Sequence, residues 1–198
     1  MRPTEILSGE HRVIEVVLAC LERMVEQSEQ DGRLDKTAAL WAVDIIRNFA
    51  DRCHHGKEEK HLFAALVEKG LPEQGGPVGQ MLHEHEQGRD YVRGMDESIA
   101  AASEGKADGL ITFSENARNY IELLRHHIQK EDGVLFPVAD RLLDDSGQQS
   151  LLAAFAKVES EHMGSGTHEK YLNMVKDLAR RFNVPCEHLH GKSCHCGH

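Results

Sequence analysis

The chain has 198 residues, a formal net charge of -10, 40% apolar residues and only 5% aromatics. That length suits one domain with a sizeable core and leaves no room for a second full one. The acidic balance makes nucleic acid and anionic membrane poor partners, and no apolar run approaches the ~18 residues of a spanning helix. The opening MRPTEILSGEH lacks the apolar stretch of a signal peptide, so the expected location is the cytoplasm. Five Cys fit that location: Cys20 and Cys53 stand singly in apolar helical stretches, and three crowd the end of the chain, unlike a secreted disulfide framework.

In chain order, Thr4 or Ser8 can start a first helix running to about Gln27, with Ile6, Leu7, Ile14, Val17, Leu18, Leu21 and Met24 at helical spacing. A turn over residues 29–33 leads to a second helix over about residues 34–69, stopped by Gly70-Leu71-Pro72. Pro77 can open a third helix, which fades over residues 100–105. A fourth covers about residues 108–135, with Pro137 kinking or ending it and residues 139–143 continuing past the kink. Ser146 or Ser150 opens a fifth helix to about Phe182, with a weak point at Gly164-Ser165-Gly166. Nothing alternates with period two. The expected fold is all-α: an antiparallel up-down four-helix bundle over residues 1–145, an additional C-terminal helix over 146–184 packed on its side or end, and a Cys/His-rich tail over 185–198.

A histidine–carboxylate phrase occurs twice. His54-His55-Gly56-Lys57-Glu58-Glu59-Lys60-His61-Leu62-Phe63 returns as His127-Ile128-Gln129-Lys130-Glu131-Asp132-Gly133-Val134-Leu135-Phe136. The shared skeleton is His, Glu at i+4, an acid beside that Glu, then Leu-Phe. His and Glu at i and i+4 share one helix face, and two such helices can offer imidazoles and bridging carboxylates to a pair of metal ions. Imidazole with carboxylate suits iron, manganese or zinc, and the absence of thiolate argues against a structural zinc site. In the second copy His126 would pair with Lys130, so only His127 with Glu131 works; aligning the two Leu-Phe pairs then selects His54 and Glu58 over His55 and Glu59. His11, on a seam with Ile14, Leu18 and Leu21, and His85, with Leu82 and Val92, complete the set. His83 cannot share the face of His85. A lone His on an apolar seam is more often a core histidine than a ligand; the repeat is what changes that weighing. His55, Glu59, His126 and Asp132 are then left behind the donors or on the surface.

A His in helix one, HxxxE with Leu-Phe in helix two, a His after Glu in helix three and HxxxE with Leu-Phe-Pro in helix four resemble the hemerythrin-like, or HHE cation-binding, family over roughly residues 5–145. The resemblance implies a non-heme di-iron centre with Glu58 and Glu131 as bridging carboxylates and His11, His54, His85 and His127 as terminal ligands. Oxygen-carrying members have a second helix-three His four residues after the first; here that position is Arg89. One fewer imidazole implies a more open or more carboxylate-rich iron pair, for which Glu15, Glu159, His162 or Tyr120 are nearby candidate donors. Reversible oxygen carriage recedes. Reaction with O2, hydrogen peroxide or nitric oxide in oxidative or nitrosative stress defence, including catalase-like peroxide turnover, comes forward. A non-enzymatic oxygen, nitric oxide or iron sensor or store, and an iron donor for iron–sulfur repair, are the alternatives. Closed apolar walls would exclude bulkier substrates. Zinc or manganese would also suit the site. In the tail, Cys186, His188, His190, Cys194 and Cys196 form a candidate site for zinc or another soft metal, at a spacing that matches no zinc finger.

Overall fold

The structure is a computed structural model that describes residues 1–160, 167–186 and 189. Among the described residues every regular element is a helix. Helix α1 (Pro3–Asp31) starts on Pro3, whose missing N–H costs nothing in a first turn, and stops at Gly32, which takes the left-handed conformation at φ 67°. Asp35 caps α2 (Lys36–Ile45) by accepting a bond from the Ala38 amide. The run continues through two π-helical stretches, π1 (Ile46–His55) and π2 (Glu58–Leu62), and ends as α3 (Phe63–Glu68). Pro77 opens α4 (Pro77–Ser103). After a turn through Gly105 (φ 76°) comes α5 (Ala107–Lys130), followed by π3 (Glu131–Leu135) and α6 (Phe136–Leu142). Pro137 therefore does not end the fourth run. Proline removes a backbone donor, and the wider π turn just ahead of it carries the chain through.

Helix α1 packs on α2 and α5, α2 on α4, and α4 on α5, so the four runs close a ring of neighbours. Two apolar clusters fill the ring. One holds Ile14, Leu18, Phe49, Val92, Phe113 and Leu124. The other holds Leu7, Leu62, Phe63, Met81, Leu135 and Phe136. Burying each such side chain contributes about 1.5–3 kcal/mol. Along every run the candidate donors fall between the two clusters: His11 between Leu7 and Ile14, His54 and Glu58 between Phe49 and Leu62, His85 between Met81 and Val92, His127 and Glu131 between Leu124 and Leu135.

Two parts of the expected fifth helix lie among the described residues. Helix α7 (Asp145–Val158), capped by Asp144, packs on α1 and π2 and adds Leu151 and Phe155 to the second cluster. Helix α8 (Thr167–Arg181) packs on α1 and α2 and adds Tyr171, Val175 and Leu178 to the first. The expected weak point, residues 164–166, lies outside the described residues.

Candidate metal centre

Six side chains singled out by the repeat and the apolar seams meet in one buried layer, and a seventh joins them. His55, Glu58, His85 and His127 form one group, and His11, His54, Glu58 and Glu131 another, each with ligand atoms within 4.8 Å of one another. All seven residues are at most 5% exposed, and Glu58 and Glu131 are fully buried. Both carboxylates reach across the groups. Glu58 lies 3.4 Å from His54 Nε2 and 3.6 Å from His85 Nε2; Glu131 Oε2 lies 3.2 Å from Nε2 of both His11 and His127.

His55 changes the symmetry of the set. On a regular helix His54 and His55 point about a quarter turn or more apart, which is why sequence reasoning had to choose between them. The π1 stretch contains both, and π geometry, with its i→i+5 bonding, alters the phase of the face. The result is three imidazoles in one group and two in the other.

Each imidazole has a carboxylate at Nδ1. Asp132 lies 3.0 Å from His11, Glu10 2.9 Å from His54, Asp51 3.4 Å from His55, Glu59 2.7 Å from His85 and Glu84 2.9 Å from His127. At the four shorter contacts the carboxylate accepts from Nδ1–H and leaves the Nε2 lone pair for a metal, the arrangement that orients imidazole ligands in metal sites, whereas Asp51 approaches His55 without a formed hydrogen bond. Each carboxylate in turn meets a cation: Asp132 meets Arg12, Glu10 meets Lys57, Glu84 meets Lys130, and Asp51 and Glu59 share Arg89.

Buried polar atoms in folded proteins are almost always hydrogen-bonded. Here His11 Nε2, both oxygens of Glu58, both oxygens of Glu131 and His55 Nε2 are buried with no hydrogen-bond partner. The Nε2 atoms of His85 and His127 face each other at 3.1 Å, and two lone pairs at that distance repel unless a cation stands near them. These are the atoms a metal pair would engage, so the residues fit one.

The electrostatics agree. Burial, then the neighbouring Glu131, pushes Glu58 well above the carboxylate range. Burial also pushes Glu131 upward, but His127 and His11 outweigh it and hold it well below. Burial drives His54 down to about 4 and His85 down to about 3, the neutral state a metal ligand needs. His127 is also buried, yet Glu131 and Glu84 raise it to about 9, so a proton there can sit between the facing nitrogens. Burial pushes the Cys53 thiol up to about 12, and Cys53 is in neither group.

The remaining candidates lie elsewhere. His83 and His126 are exposed. Glu15 is half-buried and faces Arg125. Glu159 pairs with Lys57 at 2.7 Å, one contact behind Glu10. Glu59 backs His85 and is not in either group. Tyr120 lines a cavity of about 460 Å³ that reaches His55 and His85 past Asp51 and Arg89. The walls on this side are therefore neither closed nor wholly apolar. His162, His188, His190, Cys194 and Cys196 lie outside the described residues; Cys186 is half-buried and packs against the first apolar cluster. Sequence reasoning overlooked Glu10, Glu84, Asp51 and the buried Lys57. The acids at Glu10 and Glu84 do sit one residue before His11 and His85, the only linear signal they carry.

No helix among the described residues is long and apolar enough to cross a membrane. No solved structure matches the chain significantly. Uncharacterized proteins of Mycobacterium bovis and of two Mycobacterium tuberculosis strains are each 22% identical to it over 183 residues, which span 91% of this chain and 70% of theirs. Residues 2–139, which contain all seven side chains of the buried layer, match the family described as the hemerythrin HHE cation binding domain, and the chain belongs to that family.

Proposed function

We propose that the chain is a non-heme di-iron protein whose iron pair binds or reacts with O2, hydrogen peroxide or nitric oxide, in oxidative or nitrosative stress defence. The observation that carries this reading is the set of buried, unpartnered oxygens on Glu58 and Glu131, flanked by imidazoles whose other nitrogens are already taken. In this reading Glu58 and Glu131 would serve both ions. His55, His85 and His127 hold one, and His11 and His54 the other. The order in which each helical run passes the two apolar clusters supports an up-down four-helix bundle as the frame over residues 1–145, with 146–184 packed on it.

Iron bound here would supply electrons and an electrophilic position for a small ligand. The chain supplies the rest. Carboxylates at Nδ1 fix the tautomer and the plane of the imidazoles, so that Nε2 faces the site. The two-imidazole group has fewer protein donors, which leaves room for an exogenous ligand there. On that side Phe136 stacks on His11 with ring centres 5.4 Å apart, and Leu7, Leu62 and Leu135 add an apolar wall that keeps water out.

The test is metal content per chain on protein purified without added metal, with a visible spectrum before and after hydrogen peroxide. About two irons per chain, with rapid oxygen evolution from peroxide, is the expected result for peroxide turnover. Two irons with no turnover and a stable oxygenated or nitrosyl spectrum would favour a sensor or store. One observation supports that second reading: fully buried Lys57 joins Glu10, behind His54, to Glu159 just past α7, so a change at His54 has a physical route to the C-terminal helices. An empty centre would overturn both readings.

A further inference from the structure

Arg89 lies four residues after His85 on α4. The group of His85 and His127 takes its third imidazole from π1, as His55. The rings of His55 and His85 stack with centres 3.8 Å apart and planes within 15°. Stacking forces their Nδ1 partners together as well. Asp51 stands behind His55 and Glu59 behind His85, two carboxylates that repel each other. The Arg89 guanidinium lies between them, with Nη2 2.7 Å from both Asp51 Oδ1 and Glu59 Oε1 and Nε donating to Asp51 at 2.9 Å. A rigid planar fork can hold two carboxylates at once; the single point charge of a lysine cannot do so with the same geometry.

We propose that Arg89 is a positioning residue of the metal centre: it clamps Asp51 and Glu59 so that the stacked pair His55 and His85 serve the same ion. The contact from Asp51 to His55, at 3.4 Å, is the longest of the five imidazole–carboxylate contacts. Arg89 holds Asp51 on the side away from His55 and so limits how far that contact can open. The proposal rests on the metal-centre reading above and adds a role that the family resemblance does not assign.

The test titrates Co(II) alone, without oxygen, into metal-free full-length chain, following the visible cobalt bands. Wild type takes up two ions. Arg89→Gln is expected to leave the first ion bound as before and to weaken the second by about 10–100-fold, the usual effect of losing support behind a ligand. The bands of that second ion should change, and Arg89→Lys should fall between the two. A role through the carboxylates has a further signature: added to Asp51→Asn/Glu59→Gln, Arg89→Gln should weaken the second ion no further. The melting temperature of the metal-free variants reports any purely structural effect. Unchanged affinity and bands in Arg89→Gln, or effects that add in full to the carboxylate changes, overturn the proposal while wild type still binds two ions. A wild-type chain that takes up no Co(II) overturns the metal-centre reading, and this proposal falls with it.

Discussion

At the scale of single residues, donors and their supports should behave differently. Glu58 and Glu131 each face both groups, so Glu58→Ala or Glu131→Ala should remove most bound metal, read as metal per chain after gel filtration. His55→Ala should cost the three-imidazole group alone, leaving about one ion of two. Glu59 only backs His85, so Glu59→Gln should weaken binding about 10–100-fold without abolishing it. Equal losses at Glu58 and Glu59 would contradict this division. A pH effect belongs to Glu10. Burial pushes its pKa up, but Lys57 and His54 outweigh that and hold it at about 2, against an ordinary 4.5. The unfolded chain thus binds this proton more readily than the folded one. The stabilisation is complete above the ordinary value and is lost as pH falls towards about 2. In the metal-free protein, the urea midpoint should fall between about pH 5 and about pH 3 more steeply in wild type than in Glu10→Gln.

At the scale of elements, the π stretches decide which side chains turn inward. Three of them, π1, π2 and π3, carry His54, His55, Glu58 and Glu131. A sequence read at 3.6 residues per turn identifies His54, Glu58, His127 and Glu131, because each pair shares a face at i,i+4. It has no means to see that His55 also faces in, since a π turn leaves no mark in an apolar periodicity that already covers the helix nearly all round. Packing between α4 and α5 offers another test. A Cβ on Gly109 would lie 2.6 Å from the Ala102 amide nitrogen and 2.6 Å from Ala101 Cβ. Backbone cannot yield cheaply there. Gly109→Ala should therefore destabilise by about 1–3 kcal/mol, as overpacked sites do, and lower the melting temperature by roughly 2–4 °C per kcal/mol. An unchanged melting curve would show that the two helices can separate at this point without cost.

At the scale of the whole molecule, the polar layer is a cost that a bound cation offsets. Two fully buried carboxylates and five buried imidazoles sit between apolar clusters, and unpaired buried charge is strongly unfavourable. Metal should therefore stabilise the fold by linkage, about 2.7 kcal/mol at a free concentration 100-fold above Kd. Chelation should lower the melting temperature, and added Fe(II) should restore it; a melting temperature indifferent to metal would mean the layer does not hold one. The sequence by itself determined the helical class, the four long runs, the repeated phrase and six of the seven side chains in the layer, because helical spacing and i,i+4 pairing are local properties written along the chain. Only the tertiary structure decided that His55 joins them, that Asp132, Glu10, Asp51, Glu59 and Glu84 stand behind the five imidazoles, that Arg89 holds Asp51 and Glu59 while Lys57 holds Glu10, and that α7 and α8 lie over different clusters. Those relations connect residues as far as 121 positions apart, as in His11 with Asp132. They depend on helix phase and on which faces meet, which no linear pattern records.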